Sequence, residues 1–82
     1  MTVKLEKQAE KYYLSQDRTT RQRLKKGMAG LEKQPPEGDI VPVYGVEDTY
    51  RLRIGGLRVM FKREHDAIIV TKIHPRGQFY KK

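Results

Sequence analysis

Cysteine and tryptophan are absent from the 82-residue chain, which has only two histidines and four prolines. Without cysteine there is no disulfide framework, no thiolate zinc site and no thiol nucleophile. Two histidines alone argue against a structural metal centre. No apolar run approaches the ~20 residues that cross a bilayer. Met1-Thr2-Val3-Lys4-Leu5 does not open a signal peptide. Acidic side chains are also scarce, with 10 Asp+Glu against 18 Lys+Arg and a net charge of +8. What is left is one small basic domain, expected to be soluble and cytoplasmic, whose charge calls for an acidic partner.

The charge is unevenly distributed. Residues 1–33 carry a net +5, and residues 34–49 carry only Glu37, Asp39, Glu47 and Asp48. Residues 50–82 hold nine basic side chains against Glu64 and Asp66, a net +7. Segregation of this kind favours a binding face for phosphates or an acidic peptide over a merely solubilising surface.

Leu5, Ala9, Tyr12 and Tyr13 recur at helical spacing and predict a first helix from Glu6 to about Ser15. The two tyrosines there are read as core residues rather than base-stacking platforms. Asp17 is a candidate N-cap for a second helix, with Thr19 and Thr20 as rivals. Leu24, Met28 and Leu31 form its apolar stripe, and Pro35-Pro36 is expected to end it. Gly27 costs that helix about 1 kcal/mol relative to alanine, so it is expected to be loose. Thr2–Leu5 is a weak first strand.

Beyond Asp39 the helical period disappears. Ile40-Val41-Pro42-Val43 is β-branched, but Pro42 restricts it to an edge strand or an extended connection. Tyr50 to Ile54, Gly55-Gly56 and Leu57 to Lys62 form the clearest local signal, a tight antiparallel hairpin. No helix follows the two glycines, so a turn explains them better than a phosphate cradle does. Ala67 to Ile73 is a third, buried strand.

A two-residue Gly-Gly loop sets the register: Ile54 faces Leu57, Arg53 faces Arg58, Leu52 faces Val59, Arg51 faces Met60 and Tyr50 faces Phe61. One face is then apolar and packs on the helices. The other carries Arg51, Arg53, Arg58 and Lys62. Arg53 opposite Arg58 is unfavourable, and the nearest acids of the hairpin region, Glu64 and Asp66, lie in the far turn. A sheet face that gathers guanidiniums without counter-ions suits a polyanion, because arginine forks bind phosphate oxygens and stay charged.

The ending, His74-Pro75-Arg76-Gly77-Gln78-Phe79-Tyr80-Lys81-Lys82, adds an imidazole, a guanidinium and a phenol. Cleavage of RNA without metal needs such groups. A 2′-hydroxyl loses a proton, cationic donors stabilise the phosphorane, and the 5′-oxygen is protonated as it leaves. The alternative is that Tyr80 anchors the terminus and His74 only ends a strand. On chemistry alone the two stand level.

The block Tyr50-Arg51-Leu52-Arg53-Ile54-Gly55-Gly56-Leu57-Arg58-Val59-Met60-Phe61, with Ile68 through Lys81, closely resembles the RelE/ParE superfamily of bacterial toxins from type II toxin–antitoxin modules. The resemblance implies an α+β fold of order β-α-α-β-β-β, with a two-helix hairpin on one face of a small antiparallel sheet. RelE-type members cut mRNA in the ribosomal A site without metal, whereas ParE-like members inhibit DNA gyrase and usually lack the catalytic set.

Carried over residue by residue, Arg51 and Arg53 fall where RelE-type toxins place paired basic residues. Arg58 falls on the transition-state arginine, Arg76 on the basic residue near the leaving group, and Tyr80 on the tyrosine near the C-terminus. The family often has lysines at the first two positions. Arginine cannot be tuned to act as a base, so that role passes to Tyr80 or His74. The expectation is therefore a ribonuclease with Arg58, Arg76, Tyr80 and His74 catalytic, and with Arg51, Arg53, Lys62 and Lys81 on RNA phosphates. It would need no cofactor or metal. Its partners would be a cognate antitoxin, mRNA and the ribosome; it would be monomeric when free and hetero-oligomeric with the antitoxin. The rivals are a gyrase inhibitor and an inactive RNA-binding member of the fold.

Overall fold

The computed structural model describes residues 2–75. Thr2–Leu5 forms strand β1, followed by helix α1 (Lys7–Ser15) and helix α2 (Arg18–Ala29). Asp17 caps α2, its Oδ1 accepting from the Thr20 N–H at 2.9 Å. Hydrogen bonds from the Thr20 side chain and backbone hold the Asp17 carboxyl below its ordinary pKa. The prolines do not end this helix. It gives way at Gly30 to a 3-10 turn (Gly30–Glu32), and the Gly30 carbonyl accepts from the Lys33 and Glu37 N–H groups. A tighter turn thus satisfies the orphan carbonyl before Pro35 is reached.

Four strands follow: β2 (Asp39–Pro42), β3 (Thr49–Ile54), β4 (Leu57–Glu64) and β5 (Ala67–Pro75). The Ile40–Val43 run takes the edge-strand option through β2, which adds one strand to the predicted order. The sheet runs β1-β5-β4-β3-β2, antiparallel except that β1 lies parallel to β5. The β3–β4 register is the one the sequence implies, from Ile54 opposite Leu57 to Tyr50 opposite Phe61. Gly55 has φ +58 and Gly56 has no positive φ, the pattern of a turn with glycine at its first central position.

Leu24, Leu31, Leu52, Val59, Phe61, Ile68 and Val70 are fully buried between the helices and one face of the sheet, and Tyr12 and Tyr13 pack against this core as expected. The Tyr50 and Phe61 rings stack with centroids 5.6 Å apart. Gly27 lies within the unbroken α2. A Cβ there would overlap Ile54 Cδ1 and lie 2.8 Å from its Cγ1, so the missing side chain lets α2 sit down on β3.

Candidate functional site

On the face away from the helices, pairing across four strands produces a row. Asp39 of β2 pairs with Arg53 of β3, Arg53 with Arg58 of β4, and Arg58 with His74 of β5. The predicted Arg53–Arg58 opposition is real, but the expectation that no acid neutralises it is wrong. Asp39 Oδ2 lies 2.6 Å from Arg53 Nε, a charge-assisted hydrogen bond between two half-exposed side chains. The acid comes from the edge strand β2, outside the β3–β4 hairpin.

Arg58 is different. It is only 5% exposed, and its Nη1 donates to the carbonyls of Gly55 at 3.4 Å and Leu57 at 3.3 Å. Among the described residues no carboxylate lies within ion-pair distance of it. A nearly buried guanidinium with two long bonds to neutral acceptors is held ready for an anion. Beside it His74 is 4% exposed, with Nδ1 3.0 Å from the Pro75 carbonyl oxygen. A carbonyl only accepts, so Nδ1 carries the hydrogen there and Nε2 is the basic nitrogen of the neutral ring.

His74 reaches this face through an irregularity. Val70 pairs with Phe61, but Lys72 pairs with Met60, so Thr71 is an extra residue in β5. Strict alternation from buried Val70 would place Lys72 and His74 towards the helices. The bulge moves both to the basic face and returns Ile73 to the core.

Among the other sequence-predicted residues, Arg51 is half-buried on the same face, opposite Met60 and Val41. Lys62 is exposed, opposite Thr49 and Ile69. Arg76, Tyr80 and Lys81 lie outside the described residues. The structure adds two lysines that the sequence reading missed. Lys72 comes to this face through the bulge, and Lys4 through the parallel pairing of β1, where it sits opposite Ile69. Lys4 has no local signal, since it depends on the least local pairing in the sheet, and Lys72 depends on an inserted residue that only the odd spacing of Val70 and Ile73 betrays.

A two-helix layer on a five-stranded, mostly antiparallel sheet is the architecture of the RelE/ParE toxins. The match extends to sequence: residues 2–80 fit the ParE toxin of the type II toxin–antitoxin system parDE. The chain belongs to this family and is the toxin of a type II toxin–antitoxin module. Among solved structures it is similar to the archaeal RelE of the RelE–RelB complex from Pyrococcus horikoshii OT3, at 30% identity and a TM-score of 0.78, covering 94% of this chain and 96% of that one. The RelB–RelE complex from Methanococcus jannaschii gives 22% identity and 0.76, covering 93% of each chain. The isolated E. coli RelE toxin gives 18% and 0.77, covering 90% of this chain and 82% of that one. At those two lower identities the likeness is one of fold. Comparison with curated proteins gives no match. No helix among the described residues is long and apolar enough to cross a membrane.

Proposed function

We propose that this toxin is an endoribonuclease that cuts mRNA, on the ribosome, and so arrests translation. The observation that carries the reading is the buried Arg58 guanidinium beside His74 on a basic sheet face. In the reaction, the 2′-oxygen loses its proton and attacks the adjacent phosphorus. The bond from phosphorus to the 5′-oxygen breaks, leaving a 2′,3′-cyclic phosphate and a 5′-hydroxyl. Arg58 stabilises the charge that builds on the phosphorane oxygens, where a preorganised donor counts for most. Arg76 stabilises the negative charge on the departing 5′-oxygen, which takes its proton from solvent or from whichever of Tyr80 and His74 does not act as the base. Tyr80 or His74 takes the 2′-proton, because arginine does not give up its own. Arg51, Lys62 and Lys81 hold flanking phosphates, while Arg53, expected in the same role, is already held by Asp39. None of these roles calls for a metal ion or other cofactor.

The P. horikoshii, M. jannaschii and E. coli structures of RelE with RelB support a cognate antitoxin partner. In this reading the toxin is a cytoplasmic monomer when free and is held inactive in a hetero-oligomer by an acidic antitoxin segment over the basic face. Inducible expression tests the function. Wild type should arrest growth and produce discrete mRNA ends, and Arg58→Ala and Tyr80→Phe should each abolish both while still binding antitoxin. Full toxicity in both variants would overturn the assignment. The second reading, a gyrase inhibitor, is favoured by the ParE match over residues 2–80. It predicts filamentation and DNA damage with intact messages.

A further inference from the structure

The basic face has two electrostatically distinct ends. At the β2 end, Arg53 already holds a carboxylate, Asp39 Oδ2 at 2.6 Å from its Nε. Towards the β1 end, Lys72, Lys62 and Lys4 are exposed, and no carboxylate lies within ion-pair distance of any of them among the described residues. Their register makes a zigzag between β4 and β5 that ends level with Lys4 on β1. Lys72 pairs with Met60, two residues along β4 from Arg58; Lys62 is two residues further on; Lys4 and Lys62 both pair with Ile69. With strands about 4.8 Å apart and about 3.3 Å per residue, successive cations from Arg58 to Lys72 to Lys62 are about 8 Å apart at Cα. The flexible lysine stems can adjust that spacing to a chain of phosphates.

We propose that Asp39 is a built-in competitor for phosphate at Arg53, and that single-stranded RNA therefore runs from Arg58 along Lys72 and Lys62 towards Lys4. A phosphate approaching Arg53 meets a carboxylate that already occupies the guanidinium edge and repels it. One approaching Lys72 meets an unopposed cation. Asp39 thus positions the ligand indirectly: it relieves the Arg53–Arg58 repulsion and biases the chain towards the β1 edge. Arg58, nearly buried between the two ends, receives the phosphate at the start of the track.

This inference rests on the ribonuclease reading, and the same experiment separates the two. A fluorescein-labelled single-stranded RNA oligonucleotide is titrated by anisotropy at several salt concentrations, with Tyr80→Phe as the background so that the probe stays intact. If that protein fails to bind RNA at low salt, the ribonuclease reading falls and takes the track with it. If it binds, Lys72→Gln and Lys62→Gln should each weaken binding about threefold and flatten the log–log salt dependence by about 0.7. Asp39→Asn should tighten binding about threefold and steepen the slope by about 0.7, because it releases Arg53 to the phosphates. That gain should vanish when Arg53→Gln is added. Asp39→Asn binding no tighter, or gaining equally in the Arg53→Gln protein, would overturn the competitor role. Unchanged slopes in both lysine variants would overturn the track. Asp39 and the lysines are exposed, and circular dichroism of each variant checks that the fold is retained.

Discussion

Replacing Arg58 with methionine should make the protein more stable and leave it inactive. The guanidinium is 5% exposed, faces Arg53 across the strand pair, and donates only to two carbonyls at 3.3–3.4 Å. Desolvating a cation costs several kcal/mol, and long bonds to neutral acceptors offset that only partly. Exchanging buried charged groups for apolar ones of similar volume is commonly neutral or stabilising by about 1–4 kcal/mol. Removing the like-charge opposition adds up to about 1 kcal/mol. Against this stand two lost hydrogen bonds, each worth about 1 kcal/mol at most at these lengths. Methionine is unbranched and can follow the path of the arginine stem. The balance is a gain of about 1 kcal/mol, which for a domain of this size raises Tm by about 4–8 °C. Loss of one preorganised donor to the phosphorane should cost about 10²–10³ in cleavage rate. Thermal unfolding by circular dichroism and single-turnover cleavage of ribosome-bound mRNA measure the two effects. A fall in Tm of similar size would refute the reasoning, since it would make Arg58 a structural anchor whose charge is adequately compensated.

Three further outcomes follow from the packing. Gly27→Ala should destabilise the protein despite the ~1 kcal/mol gain in helix propensity, because overlap with Ile54 costs about 1–3 kcal/mol. Ile54→Val, which removes Cδ1, should recover part of that loss in the double variant, as chemical denaturation would measure. Asp17→Asn should lower Tm at neutral pH. The native Asp17 carboxyl has a depressed pKa, so its contribution is present above the unfolded carboxyl pKa and is lost as pH falls through the folded value. The Tm difference between wild type and Asp17→Asn should therefore shrink on acidification, and a constant difference would contradict the cap. Deleting Thr71 should leave a cooperatively folding protein, because Val70–Phe61 and Lys72–Met60 pairing can then close into a regular ladder with no residue changing face. Aggregation of that variant would show that the bulge is needed to fold.

The hairpin was legible because its determinants are local. Gly55-Gly56 fixes the turn, the turn fixes the register, and alternation assigns Leu52, Val59 and Phe61 to the core. Asp17 and the Leu24–Met28–Leu31 stripe were equally readable, because a cap and a helical period need only neighbouring residues. Gly27 was legible only in part, for the opposite reason. Its propensity cost is local, but its use, close approach to Ile54, appears only once a helix meets a strand 27 positions later.

The same distinction explains what the site withheld. Asp39 reaches Arg53 only because Pro42 still permits an edge strand, and the charge tally of residues 34–49 could not say which acid would be brought across. His74 is the sharper case. Read as a continuous alternation from Ile68 and Val70, it would point into the core, where an imidazole needs a buried partner. One extra residue, Thr71, reverses that assignment and places the ring next to Arg58. Bulges of this kind re-aim side chains beside functional sites, and no residue type marks this one in the sequence. A threonine suits a regular strand as well as an irregular one. The bulge is specified by what lies on either side of it. Val70 and Ile73 must both be buried, and two residues on one face of a regular strand cannot be an odd three positions apart. That spacing, visible as Val70-Thr71-Lys72-Ile73, is the signal that could have placed His74 and Lys72 on the basic face.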